Sequence, residues 1–409
     1  MKKSKWFVLS LCLLVLLAAG LCVQAEEEDV EAYTIGVVVY DPDSAEMEMF
    51  MDYYRDYLQQ GFPVKFYFSD AVTDGDQEIA FIDAMKENGA DGIISFLGND
   101  LQRVVAACEK NEMYYVLGSN MPREDAFEAV KDNPWFLGSV GPEMEDVYQS
   151  GCEMAEAFLE KGAKTYVIMT GGAVGAKNPL HTARVRGMLD VLQEKAGLVL
   201  DVDTKTAAAA EENTTYTSAD GSIQVTLCPG YTENGDGLAN LDAAFAAGTC
   251  DALMSAFHVS TYIDRITAKE KEQNQNMLVG AIDSFTEANF EVFQEKDPFG
   301  NAPIDYTQGK YGSMAGPAFA MLYNAMSGHP EANTEDGKAV QLYQSFWTAQ
   351  SWEEYYELYS YTTGIYENAY SCEDLMQVIR VYSEDASPEH LRELTEACTI
   401  EAVKARILE

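Results

Sequence analysis

The chain is poor in positive charge: 27 Lys and Arg stand against 67 Asp and Glu, a formal net charge of −40 at pH 7. Such a surface repels phosphate backbones and anionic lipid headgroups, which excludes nucleic acid as a partner. Histidine is scarce, and His181, His258, His329 and His390 show none of the spacing of a metal site. Cysteine occurs eight times without a Cys-x-x-Cys pair, so no zinc doublet is written in the chain. Gly171-Gly-Ala-Val-Gly175 lacks the Gly-x-x-x-x-Gly-Lys-Ser/Thr pattern of a phosphate loop, and no Gly-x-Ser-x-Gly elbow serves an esterase. Asp74-Gly-Asp76 and Asn234-Gly-Asp236 lack the remaining ligands of a calcium loop. These absences leave no acid–base pair, nucleophile, metal or cofactor to expect, and favour capture of a ligand over chemistry on it.

One long apolar run is present, and it opens the chain. Lys2, Lys3 and Lys5 precede Trp6 to about Leu21, and Val23-Gln24-Ala25 follows, the three parts of an export signal cleaved after Ala25. Two alternatives stand beside it. The run approaches the length that spans ~30 Å of hydrocarbon, and Cys22 offers a lipid anchor, although Leu21 sits where such signals want a small residue. Each version places the chain outside the cytoplasm. Six cysteines follow the signal, Cys108, Cys152, Cys228, Cys250, Cys372 and Cys398. Widely spaced in a large chain, they read as buried thiols with room for one bridge.

Apolar β-rich runs then alternate with amphipathic helical stretches, the pattern of βαβ units around buried parallel sheets. Strands are expected at Tyr33–Tyr40, Pro63–Phe68, Asp91–Phe96 and Tyr114–Leu117, with helices between them. Near Trp135-Phe-Leu-Gly-Ser-Val140 a second run of the same kind begins, with strands Thr165–Thr170, Ile223–Leu227, Ala252–Ala256 and Met277–Ile282. Ala207–Ser222 reads as an inserted loop or hairpin, Tyr311–Ser327 as a helix and Val340–Trp347 as one strand. The expected fold class is α/β, with two doubly wound parallel-sheet domains joined by a multi-strand hinge. The expected division is residues 1–25 as signal, 26–140 plus about 309–339 as the first lobe, 141–308 plus about 340–350 as the second, and 351–409 as a C-terminal extension packed on the outside.

Ligands of open parallel sheets bind beyond the carboxyl ends of the strands, where loops converge. That rule selects Tyr40, Asp41, Asn99 and Asn120 from the first half, and Phe257, His258 and Asp283 from the second. Asp283 directly follows Met277-Leu-Val-Gly-Ala-Ile282, where a carboxylate can accept two hydroxyl hydrogen bonds or cap the next helix. Arg184 and Arg186 lie near a helix start, a poor place for cations against the helix dipole. Two residues apart, they point in different directions, so one is expected in the cleft and the other in solvent. Tyr40, Phe96, Phe257, Phe285 and Trp347 fall near strand ends, where flat rings can cover a sugar or base face or simply join the core.

Ile35-Gly-Val-Val-Val39, Ala90-Asp-Gly-Ile-Ile94, Arg184-Val-Arg-Gly-Met188, Leu278-Val-Gly-Ala-Ile-Asp283 and Gln308 ahead of a helix ending Met326-Ser-Gly328 give a composite pattern. It resembles the type I periplasmic binding proteins, nearest to the ribose-type sugar-binding branch of ABC import systems. The resemblance implies a substrate-binding protein that closes two lobes on a sugar and docks a membrane permease as a monomer. It also implies that Arg184, Asp283 and Gln308 contact sugar hydroxyls, and that crossovers lie near Val140, near Gln308 and after Gly328. Phe257-His258 stands where the family often has Asn-Asp, and Tyr40-Asp-Pro-Asp43 departs from the family's first cleft loop. A nucleoside or furanose ligand therefore stays open beside a common sugar, as does a sensor module serving a signalling receptor.

Overall fold

The computed structural model describes residues 32–175, 178–231, 236–363 and 369–408. The expected signal, with Cys22 and Ala25, lies outside them. Among the described residues the strands form two sheets. The first comprises β1 (Tyr33–Val38), β2 (Val64–Phe68), β3 (Gly92–Ser95), β4 (Tyr114–Gly118), β5 (Phe136–Gly141) and β13 (Val340–Tyr343), ordered β13-β5-β4-β3-β1-β2 and parallel throughout. The second comprises β6 (Thr165–Met169), β7 (Leu198–Val199), β8 (Thr214–Ser218), β9 (Gln224–Cys228), β10 (Ala252–Ser255), β11 (Leu278–Ile282), β12 (Tyr306–Gly309) and β14 (Trp347–Ala349). Its order is β14-β12-β11-β10-β6-β9-β8-β7, with a parallel centre and antiparallel edges.

The parallel centres of the two sheets share one winding, and the second sheet adds the antiparallel β7–β8 arm and an antiparallel β14. Each starts at an interior strand, β1 or β6, steps to one side and then winds to the other, so each has a switch point, between β1 and β3 and between β6 and β10. Helices cover both faces, and successive residues divide between them as the pleat requires. Val37, Ile94 and Val116 join one apolar cluster, whereas their neighbours Val38, Ile93 and Leu117 join another. Burying each such side chain fully contributes roughly 1.5–3 kcal/mol.

Among the described residues the chain passes between the sheets three times. The first crossing follows Gly141 into helix Met144–Glu160, and the second follows Gly309 into helix Gly316–Met326, which packs on β3, β4 and β5. The third departs from expectation. Val340–Tyr343 pairs with Gly138–Gly141 in the first sheet, and the chain crosses only at 344–346 before β14. The single strand expected over Val340–Trp347 is thus split. Gln344 fixes the break, since its N–H donates to the Gly141 carbonyl at 3.0 Å and its Nε2 to the Met314 carbonyl at 3.1 Å.

Ala207–Ser222 does contain a hairpin arm, β8, closed onto β9 by Asp220, whose Oδ1 accepts from Ser218 Oγ at 2.7 Å and Ser222 N at 3.0 Å. The C-terminal extension is not peripheral, because Tyr355, Tyr370, Leu375, Ile379 and Leu391 are fully buried. All six described cysteines are free thiols, five of them buried. No helix among the described residues is long and apolar enough to cross a membrane.

Candidate functional site

The switch points of the two sheets converge on one polar cluster, and Arg184 anchors its second-sheet side. Asn178 caps helix Pro179–Ala196, its side chain accepting from Leu180 N at 3.0 Å. That helix crosses Met144–Glu160 at very short range. A Cβ at Gly151 would lie 1.9 Å from the Arg184 carbonyl and one at Gly187 2.3 Å from that of Tyr148, so only glycine permits the approach. Arg184 is thereby buried, and its Nη1 donates to the Ala256 carbonyl at 2.8 Å and the Ile282 carbonyl at 3.1 Å. These acceptors lie at the ends of β10 and β11, and the bonds explain a cation so near a helix start. Burial lowers the Arg184 pKa, while Glu46, Asp283, Tyr231 and Tyr40 oppose the shift. Arg186 diverges and lies over the Tyr148 ring, 5.9 Å from its centroid.

Glu46 forms the other side. Ser44 caps helix Ala45–Asp52, accepting from Met47 N at 3.3 Å, which places Glu46 in the first turn. Its Oε1 accepts from the Tyr40 hydroxyl at 3.1 Å and from Lys310 Nζ at 3.0 Å, and its Oε2 accepts from Ser284 Oγ at 2.5 Å. Ser284 and Lys310 follow β11 and β12, so one carboxylate joins the first sheet's loops to the second's. Burial alone would raise the Glu46 carboxyl, but Lys310, the Ser284 hydroxyl and Arg184 hold it down to about 2. Lys310 reaches the cluster because Gly309 lets the chain run tightly past β11: a Cβ there would lie 2.0 Å from the Asp283 carbonyl.

Asp283 is half-buried beside this pair. Its Oδ1 accepts from Ser284 N at 2.8 Å and its Oδ2 from Asn289 Nδ2 at 2.6 Å. Thr286, not Asp283, caps helix Glu287–Gln294. Burial raises the Asp283 pKa, against the pull of His258 and of these hydrogen bonds. Burial and then Glu46 likewise raise the Tyr40 phenol.

A wall of rings adjoins the charges. His181 Nδ1 lies 2.6 Å from the Tyr231 hydroxyl, and Phe257 packs on Tyr231 at 4.7 Å and on His181 at 5.6 Å between centroids. His258 continues the series 5.8 Å from Phe257. Burial, then the Arg184 charge, pushes the His181 pKa down to about 3, so its imidazole is neutral at ordinary pH.

The structure therefore brings together Arg184, Asp283, Tyr40, Phe257 and His258 of the residues expected from sequence, and adds Glu46, Lys310, Ser284, His181 and Tyr231. The others make different contacts. Gln308 is buried against helix Met144–Glu160, its Nε2 donating to Glu153 Oε2 at 2.7 Å and its Oε1 accepting from the Tyr306 hydroxyl at 2.8 Å. Asp41 is exposed and builds the turn before Ser44, its Oδ1 accepting from Asp43 N at 3.1 Å. Asn99 is exposed. Asn120 ties its loop to β3, its Nδ2 donating to the Phe96 carbonyl at 3.3 Å. Phe96, Phe285 and Trp347 are core: Phe96 stacks on Phe50 at 4.8 Å, Phe285 on Tyr355 at 5.0 Å and Trp347 on Tyr311 at 3.9 Å.

No protein-family model matches the sequence, and no curated protein does either. Solved structures do. An ABC transporter solute-binding protein from Bacillus halodurans with bound myo-inositol is similar at 16% identity, over 81% of this chain and 98% of that one, with a TM-score of 0.55. A galactofuranose-binding protein is similar at 14% identity, over 81% and 99%, with a TM-score of 0.53. The arabinose-binding component of an ABC transporter from Shewanella sp. ANA-3, bound to L-arabinofuranose, is similar at 15% identity, over 80% and 94%, with a TM-score of 0.53. With its two matching doubly wound sheets and three crossovers, the chain has the fold of the type I periplasmic binding proteins.

Proposed function

We propose that this protein is an extracytoplasmic solute-binding protein that captures a small polyhydroxylated ligand, a sugar or a cyclic polyol, between its two sheets and presents it to an ABC-type permease. The observation that carries the reading is the Glu46 carboxylate. It hydrogen-bonds Ser284 and Lys310 across the junction of the sheets, at the mouth of both switch points and beside an aromatic wall. Carboxylates, guanidinium, ammonium and hydroxyls in one partly dehydrated cluster match the dense donors and acceptors of a sugar, and rings suit its apolar face. A ligand bridging both lobes biases their opening equilibrium, giving a permease a closed form to recognise. Support also comes from the solved structures of the same fold, which hold myo-inositol and arabinofuranose.

Thermal unfolding against a panel of hexoses, pentoses, furanoses, inositols and nucleosides tests the reading. The cognate compound at ~100 times its dissociation constant adds roughly 2.7 kcal/mol and raises the melting temperature. Folded protein showing no shift with the whole panel contradicts it.

A further inference from the structure

We propose that Glu46 sets the charge of the ligand: as the fixed counter-charge to Lys310 and Arg184, it restricts the cleft to uncharged sugars and excludes their acidic counterparts. This inference rests on the sugar-binding reading above. Lys310 and Arg184 are both buried at the carboxyl ends of the second sheet, and a buried cation is tolerated only with compensation. Arg184 spends Nη1 on two carbonyls, which carry no charge. Asp283 lies near, but both its oxygens already serve Ser284 and Asn289. The ion pair of Lys310 is made with Glu46 at 3.0 Å. Glu46 stays ionised throughout the physiological range, held down to about 2.

Two ligand classes meet this arrangement differently. A neutral sugar can donate hydroxyls to Glu46 and Asp283 and accept from Lys310 without disturbing the balance of charge. A uronic or aldonic acid brings a carboxylate toward the same ammonium, against Glu46. Without the Glu46 charge, Lys310 and Arg184 would leave the second-sheet side net cationic and receptive to that carboxylate. One unit charge at a few ångströms in a partly dehydrated site is enough to change relative affinity at least about tenfold.

The test titrates wild type, Glu46→Gln and Lys310→Gln with neutral hexoses, pentoses and inositol and with the uronic or aldonic acid of each sugar. Wild type is expected to bind a neutral member and reject its acid, and Glu46→Gln to move that ratio at least about tenfold toward the acid. Lys310→Gln is expected to reject acids at least as strongly as wild type. It decides the matter if Glu46→Gln does not fold. A neutral sugar bound with the ratio unmoved in Glu46→Gln overturns the inference and leaves the function standing, as does a wild type that prefers the acid. Stronger acid binding by Lys310→Gln overturns it too. No binding by wild type anywhere in the panel sinks the proposed function, and this inference with it.

Discussion

Lys310 and Tyr311 are adjacent in the second crossover yet enter opposite chemistries. Lys310 joins Glu46, Ser284 and Tyr40 in a cluster where every cross-sheet tie is a hydrogen bond or an ion pair. Tyr311 stacks on Trp347 at 3.9 Å, and Trp347 Nε1 donates to the Cys398 carbonyl at 3.4 Å. Around that stack the C-terminal extension holds both halves. Tyr355 lies against Phe293 at 4.3 Å and Phe285 at 5.0 Å on the second-sheet side. Tyr370 accepts on its carbonyl from the Tyr53 hydroxyl at 2.6 Å, and Cys372 N donates to the Tyr57 hydroxyl at 3.2 Å, on the first-sheet side. Polar ties exchange partners with a ligand at little net change, about 0.5–1.5 kcal/mol per hydrogen bond. Buried ring stacks have no such substitute. On the proposed function, the charged region is the part remade on binding, and the aromatic region keeps the crossovers intact.

The sharpest way to break this contrast is Trp347→Ala. Loss of a side chain with 1% exposure from the middle of the aromatic region should cost about 3–5 kcal/mol in chemical denaturation. A loss below about 1 kcal/mol would show that the stack around Trp347 is not part of the core. Arg184→Ala comes next, since it touches both properties at once. Freeing the Ala256 and Ile282 carbonyls should cost about 2–3 kcal/mol of stability as well as sugar binding. Binding lost with stability unchanged would mean that those bonds to the strand ends contribute nothing.

A smaller effect follows from His181. Its folded pKa of about 3 lies below the ordinary histidine value near 6.5, so the unfolded chain takes up the proton first as pH falls. The stability contributed by the neutral imidazole is complete above about pH 6.5 and is lost progressively toward pH 3. Urea denaturation should show a drop of about 1–2 kcal/mol between pH 7.5 and 5 that His181→Gln removes. A pH dependence identical in the variant would place the cause elsewhere. The smallest effect is expected at Gln308, whose amide is spent on Glu153 and Tyr306. Gln308→Ala should lower stability by about 1 kcal/mol and leave sugar affinity within about twofold. A tenfold loss of affinity would return Gln308 to the site.

The same contrast separates what was legible in the sequence from what was not. Buried parallel strands announce themselves as continuous apolar runs, so Ile35–Val39, Gly92–Phe96 and Leu278–Ile282 could be read directly. Asp283 and Arg184 stood out as polar residues set against such runs or against a helix dipole. Glu46 carried no such signal. In a chain with 67 acids, a glutamate in a first turn beside Glu48 reads as a solvated helix residue, and its role depends on Ser284 and Lys310, over 200 positions away. Gln308 stands beside a crossover, as the sequence implies, but β12 turns residues 306 and 308 toward helix Met144–Glu160, a direction that depends on sheet pairing. The third crossover comes later than the sequence implies, because Val340–Trp347 is continuously strand-like and only pairing with β5 reveals the break at Gln344.

Hydrogen exchange with and without the sugar that raises the melting temperature most tests the central claim directly, because it locates the response along the chain. Added protection should concentrate in Tyr40–Phe50, in 181–186, in Ala256–His258 and in Ile282–Tyr311, and the extension over Trp352–Glu396 should change little. Protection confined to the extension, or absent from the segments that carry Glu46, Arg184, Asp283 and Lys310, would contradict the assignment of this cluster as the place where the ligand is held.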